Sequence, residues 1–236
     1  MQHNDHRQRI AAACVLAAAL LAACSDRIAT PAAGDGAVTP TVQKANAAFA
    51  AAADLTDPTS FSDAKRGFIA APKGQVKDEA GNVIWDYDAF AFVEGKSPAT
   101  VNPSLWRQAL LNNQIGLFKV RDGIWQLRGF DLANITLIEG QTGWIVVDTT
   151  TTRATAAAAM AFARQHLGHK LVSALIFTHS HVDAFGGAPA ILSAEEAKAR
   201  SVPVVAPAGF MEGAVSENIV MGEPLARSMR MVPLVP

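Results

Sequence analysis

An α/β fold is predicted for this chain, and three features of the sequence predict it. Short apolar segments rich in β-branched residues, Gly123–Arg128, Asn134–Glu139 and Trp144–Val147, follow one another with glycine-containing turns between them. An alanine-rich stretch, Arg153–Leu167, then places Ala156, Met160, Ala163 and Leu167 on one helical stripe and meets Gly168 where a helix stop is expected. The chain returns to an apolar run, Leu171–Phe177, that reads as a buried strand. Strands, a crossing helix, a strand, a polar loop and a second helix over Ala188–Ala199 describe one half of an α/β sandwich.

From the N-terminus, residues 1–23 read as an export signal, with His3, His6, Arg7 and Arg9 ahead of an apolar run from Ile10 to Ala23. That run is short for a bilayer span, which needs about 20 apolar residues. Leu21-Ala22-Ala23-Cys24 resembles a bacterial lipobox, in which cleavage before the cysteine leaves it as the lipidated N-terminus. Of the two cysteines, Cys14 leaves with the signal, so no internal disulfide is expected and Cys24 is read as the anchor. Ser25 after it favours an outer-membrane lipoprotein facing the periplasm; an ordinary secretory signal cut nearby is the alternative, and the mass of the N-terminal peptide decides between them.

Residues 24–60, dominated by Ala, Thr, Pro, Gly and Asp, read as a flexible tether with a short helix over Ala45–Ala53. Residues 61–120 form an N-terminal subregion in which Gly81-Asn82 marks a turn, Trp85–Phe92 a strand and Ser104–Leu111 a helix. Residues 121–236 hold the α/β domain. A chain of 236 residues, half of them hydrophobic, is long enough to bury an ordinary core. Its formal charge of −1 supplies no field that would steer a nucleic acid, and no Lys/Arg run is interleaved with aromatics, so no nucleic-acid partner is expected.

The chemistry is concentrated in Thr178-His179-Ser180-His181-Val182-Asp183-Ala184-Phe185-Gly186-Gly187. Two imidazoles and a carboxylate within five residues, at the carboxyl end of a predicted buried strand, outline a metal site. If the backbone stays extended, alternate side chains point the same way and His179, His181 and Asp183 converge. Neutral imidazoles with a carboxylate suit zinc or another borderline divalent ion. Loop histidines without a role are the bland alternative, and the His-x-His-x-Asp spacing before a Gly-Gly turn argues against it.

This segment resembles the His-x-His-x-Asp-His motif of the metallo-β-lactamase superfamily. Val101–Gln108, Ile124–Asn134, Thr178–Gly187 and Ala214–Asn218 resemble, more narrowly, the alkyl sulfatase branch, in one order along the chain from about Phe61 onward. The resemblance implies an αββα sandwich of which this chain carries the N-terminal half, two zinc ions per site, and hydrolysis of linear alkyl sulfate esters such as dodecyl sulfate. It makes His179, His181 and Asp183 metal ligands, with Asp183 also the expected catalytic residue. The chain departs from the pattern at Ala184, where the family has its last motif histidine. The family's later ligands and its dimerisation region are also expected to be missing, so one weakly held zinc and impaired hydrolysis are anticipated. A catalytically inactive exported module keeping the scaffold, or another hydrolase of the superfamily, are the alternatives.

Four further groups of residues have both a functional and a structural reading. Asp148, at the end of a predicted strand and opening Asp-Thr-Thr-Thr-Thr, is read as a helix N-cap in preference to a group approaching the metal loop. His166 and His169 are read as surface residues favoured at a helix C-terminus. Glu212 and Glu217 are read as solvated surface, and the four tryptophans as core and interface fillers.

Overall fold

The computed structural model describes residues 38–220; the expected export signal and Cys24 lie outside the described residues. The first helix, α1 (Pro40–Ala52), starts inside the stretch expected as a tether. The missed signal is Thr39-Pro40: the threonine side chain accepts from the Val42 amide and proline occupies the first helical turn, where its missing N–H costs nothing. No α1 residue is buried, and Asn46 ties the helix to the Ala99 carbonyl. Helix α2 (Thr59–Lys65) follows, then the short strand β1 (Phe68–Ala70) and a hairpin of β2 (Gln75–Lys77) and β3 (Val83–Asp86). The expected strand over Trp85–Phe92 ends early because the Asp86 carboxylate accepts from the Asp88 amide, the local bond by which aspartate turns a chain. Helix α3 (Pro103–Asn112) is capped by Asn102 rather than Ser104, with Pro103 again in its first turn.

The seven-stranded sheet has β1 at one edge, and the strands after the hairpin join it in chain order. Strands β4 (Gly116–Arg121), β5 (Ile124–Arg128), β6 (Ile135–Glu139) and β7 (Trp144–Val147) form an antiparallel meander. Strand β4 was not anticipated, although Asp122-Gly123 between it and β5 is a two-residue hairpin signal, and Gly123 has the left-handed φ of 77° that such turns require. Helix α4 (Arg153–Leu167) then crosses to β8 (Val172–Ile176), which pairs parallel with β7, and β9 (Val204–Val205) adds parallel to β8.

Helix α4 matches its predicted bounds because its signals agree. Thr152 caps it through the Thr155 amide, alanines supply propensity, and Gly168 ends it at φ 78°. Its buried Ala156, Ala159, Met160 and Ala163 lie on the sheet face made by Leu117, Leu127, Ile135, Leu137, Trp144 and Val146. Burying each large side chain there contributes about 1.5–3 kcal/mol. The tryptophans are fillers as read: Trp106 and Trp144 are buried, Trp125 packs edge-on to Trp144 at 5.3 Å, and Trp85 donates to the Gly129 carbonyl. The single helix expected over Ala188–Ala199 is two, α6 (Ala188–Ile191) and α7 (Ala194–Ala199), preceded by α5 (Val182–Phe185). Ser193 breaks it by capping α7 through the Glu196 amide, and Ser-x-x-Glu is itself a start signal.

Tyr87, the only tyrosine of the chain, lies edge-on to Phe130 at 5.4 Å with its hydroxyl lacking a partner. Burial, and then the charge of Asp131, push its pKa up to about 12. Because the folded value is raised, the associated stability is complete below about pH 10 and is lost as pH climbs through about 12. Tyrosinate absorbance at 295 nm is expected to rise with a midpoint near 12 in the folded chain and near about 10 in urea. Coincident midpoints would contradict the buried setting.

Candidate metal centre

The carboxyl ends of β7 and β8 are neighbours because the two strands are parallel, and the metal-motif segment leaves β8 directly beside the loop that leaves β7. This is where open α/β sheets place their chemistry. His179, His181 and Asp183 do come together: one ligand atom from each lies within 4.8 Å of the others. Their convergence has a different cause from the one expected. The backbone bends after β8, His181 is extended (φ −73°, ψ 149°) at the N-cap of α5, and Asp183 then sits one turn beyond His179. His179 Nε2 lies 3.5 Å from Asp183 Oδ1 as an i,i+4 pair, and the two imidazole rings meet edge-on at 4.7 Å.

Asp148 corrects the sequence reading. It caps no helix, since Thr152 does that; its Oδ1 accepts from the Thr178 amide at 2.8 Å and its Oδ2 from the Thr178 hydroxyl at 2.7 Å. The Thr178 hydroxyl, its proton given to Asp148, accepts at 2.8 Å from His179 Nδ1. That places a proton on Nδ1 and makes Nε2 the nitrogen turned to Asp183. Asp148 reaches this position with φ 58°, a left-handed conformation that asparagine and aspartate tolerate best among non-glycine residues.

The loop carrying Asp148 is held from two sides. Asp131, buried after β5, accepts from the Thr151 amide at 3.1 Å, the Thr151 hydroxyl at 2.7 Å and the Thr155 hydroxyl. From the other side, the Thr149 amide and hydroxyl donate to the Ala184 carbonyl at 2.8 and 3.0 Å. Gly187 donates its amide to the Thr150 carbonyl at 2.9 Å. Thr149, Thr150 and Ala184 are buried, so these bonds form away from water, where an unmade one costs about 1–3 kcal/mol.

A second correction concerns Glu217. Read from sequence as solvated, it places Oε1 2.9 Å from His181 Nε2. Glu212 is exposed, as read; His166 packs on Phe162 with ring centroids 4.6 Å apart, His169 is exposed, and neither joins the metal group. Sequence reasoning thus missed Asp131 and set aside Asp148 and Glu217 as parts of the site. Arg-Gly-Phe-Asp-Leu and Ser-Glu-Asn were visible as motifs, but nothing local says which loops their carboxylates reach.

The donor set suits a divalent ion. Ligands at about 2.0–2.2 Å around a tetrahedral centre stand roughly 3.3 Å apart, which small side-chain rotations reach from the observed spacing. His179 offers an oriented lone pair, and Asp183 a carboxylate that the described residues leave facing it.

Residues 128–233 match the metallo-β-lactamase superfamily. The chain is 49% identical over 174 residues to an (R)-specific secondary-alkylsulfatase of a Pseudomonas species, an alignment covering 73% of this chain and 26% of the relative. It is 43% identical over 192 residues to a linear primary-alkylsulfatase of Pseudomonas, covering 80% and 28%, and 41% identical over 194 residues to an alkyl/aryl-sulfatase of Saccharomyces cerevisiae, covering 80% and 29%. Among solved structures, the stereoselective inverting sec-alkylsulfatase of a Pseudomonas species superposes with a TM-score of 0.76 at 46% identity, over 80% of this chain and 30% of that one. The chain therefore spans between a quarter and a third of the length of these relatives. By motif, topology and sequence together, it carries a metallo-β-lactamase superfamily domain and is a homologue of the alkylsulfatases over their N-terminal part.

Proposed function

We propose that the chain belongs to a zinc-dependent hydrolase of alkyl sulfate esters, with hydrolysis impaired in the chain as it stands. The observation that carries this reading is the His179, His181, Asp183 group, with one imidazole held in a defined tautomer, on a scaffold similar to alkylsulfatases at 41–49% identity. When bound, zinc lowers the pKa of a water from 15.7 to about 7 and offsets charge on ester oxygens. The residues of the chain do the rest. His179 and His181 present neutral nitrogens, Asp183 supplies the anionic donor, and Asp148 through Thr178 keeps the His179 proton on the nitrogen away from the ion.

Ala184 is the reason for impairment. It offers a methyl group where the resemblance places an imidazole, and the other carboxylates around the segment are engaged elsewhere: Glu217 is paired with His181, Asp148 accepts from Thr178, and Asp131 accepts from Thr151 and Thr155. Three donors hold one ion, whereas a dinuclear site needs more. Zinc titration with sulfate release from dodecyl sulfate and a secondary alkyl sulfate tests the reading. The parent is expected to bind one zinc and release little sulfate. Ala184→His is expected to bind zinc more tightly, and to melt lower because an imidazole must displace the neighbours that bury this side chain completely. Rapid sulfate release by the parent would overturn the impairment, and failure to bind zinc at all would leave a scaffold without the reaction.

A further inference from the structure

We propose that Asp131 is a positioning residue for the metal centre: it fastens a strained turn, Asp148–Thr150, and so keeps Asp148 aimed at Thr178. The inference rests on the metal-site reading above. Among the described residues three non-glycine residues have left-handed backbones, and two of them, Asp148 at φ 58° and Thr150 at φ 68°, stand in this turn. For Thr150 the conformation is costly, because it presses the β-branched side chain against the carbonyl that follows. A residue in that state persists only where its surroundings over-determine it, and outliers of this kind gather at functional sites.

The surroundings here converge on one carboxylate. Asp131 is 7% exposed and accepts from the Leu132 amide at 2.6 Å, the Thr151 amide at 3.1 Å, the Thr151 hydroxyl at 2.7 Å and the Thr155 hydroxyl. Thr155 has one hydroxyl proton, and giving it to Asp131 leaves the oxygen to accept from the Thr150 hydroxyl at 3.0 Å. Thr150 and Thr155 are buried, so water does not replace these bonds when they break. Asp131 thus holds the turn twice, at Thr151 directly and at Thr150 through Thr155. The turn grips the metal segment with three consecutive residues: Asp148 accepts from Thr178, Thr149 donates to the Ala184 carbonyl, and the Thr150 carbonyl accepts from the Gly187 amide. Without the Asp131 bonds, Thr150 is free to relax out of its left-handed backbone, and that rotation swings the neighbouring Asp148 away from Thr178. Asp131 stands outside the metal group, so it acts only through the turn.

The test uses the full chain and two readouts: hydrogen exchange of the Thr178 amide without metal, which reports its bond to Asp148, and zinc affinity by chelator competition. Asp131→Asn leaves one oxygen for all those donors. It is expected to cut Thr178 protection about tenfold and to raise the zinc Kd about 10-fold, while the Trp144 amide, bonded to the Leu171 carbonyl at the far end of β7, keeps its protection. Thr151→Val preserves side-chain shape, removes one of the bonds to Asp131, and is expected to act in the same direction by less. Thr150→Gly takes away the strain that drives relaxation. Added to Asp131→Asn it is expected to restore most of the Thr178 protection and zinc affinity, a non-additivity that loss of general stability does not produce. If Asp131→Asn does not fold, Thr151→Val with and without Thr150→Gly completes the same cycle. Unchanged Thr178 protection in Asp131→Asn and Thr151→Val would overturn the proposal. So would equal losses at Thr178 and Trp144, which would make Asp131 a support of the whole fold, or effects of Thr150→Gly that simply add. Should the parent bind no zinc, the metal reading fails on its own, and Thr178 exchange still decides whether Asp131 aims Asp148.

Discussion

Replacing His179 and His181 together by alanine is expected to raise the zinc Kd at least about a thousandfold, about 4 kcal/mol, while leaving the fold as stable as the parent's. The first half follows from the donor count: of the three convergent side chains only Asp183 would remain, and a single carboxylate does not hold zinc in competition with water. The second half follows from exposure. The His179 and His181 side chains are 44% and 59% exposed, their partners Thr178, Asp183 and Glu217 are at least partly solvated, and surface changes of this kind stay within about 0.5 kcal/mol. Chelator competition and urea unfolding measured on the same preparation separate the two effects. Parent-like zinc affinity in the double variant would place the ion elsewhere and remove the basis for the proposed chemistry; an equal collapse of stability would mean the imidazoles serve the fold.

The same contrast explains how much of the site was legible beforehand. His179, His181 and Asp183 lie within five residues, so their convergence needs only a local bend and one helical turn. Strands β5 to β8 and helix α4 were legible for a related reason: Ile135 and Leu137 alternate with half-buried residues on one strand, while Ala156, Met160 and Ala163 recur at helical spacing, and both periods are local. What stayed hidden depends on pairing between distant loops. Asp148 meets Thr178 across 30 residues, Asp131 meets Thr151 across 20, and Glu217 reaches His181 only because a phenylalanine stack folds the helix Phe210–Val215 back. A carboxylate at the end of a strand looks like a helix cap until the neighbouring parallel strand supplies a better donor, and Asp148 was misread for that reason. The missed caps differ in kind. Thr39-Pro40, Asn102-Pro103 and Ser193-x-x-Glu196 are local signals, so those boundaries owe nothing to tertiary structure.

Gly187→Ala is expected to cost about 3 kcal/mol or more and to weaken zinc binding, although residue 187 touches no ligand atom. Its backbone, φ −83° and ψ −6°, is one any residue adopts, so strain in the dihedrals is not the cause. Space is. A Cβ built there falls 2.0 Å from the Thr149 carbonyl oxygen, 2.5 Å from the Ala156 Cβ and 2.9 Å from the Thr152 carbonyl oxygen, and neither backbone nor an alanine methyl can rotate out of the way. The metal segment would have to lift off the loop that carries Asp148, stretching the bond from the Gly187 amide to the Thr150 carbonyl and those from Thr149 to the Ala184 carbonyl. Asp148 would then no longer meet Thr178 at hydrogen-bonding distance, and His179 would lose the partner that sets its tautomer. For a chain of this size a loss of about 3 kcal/mol lowers Tm by roughly 6–12 °C. Gly74→Ala serves as the comparison, because it shares no crowding and meets only the cost of its left-handed φ of 76°, about 1–2 kcal/mol. Thermal unfolding with zinc titration on both variants decides the matter. A Gly187→Ala chain that melts within about 2 °C of the parent would show that the Thr149–Thr152 loop yields freely, and that the metal segment is not held in place by this close approach.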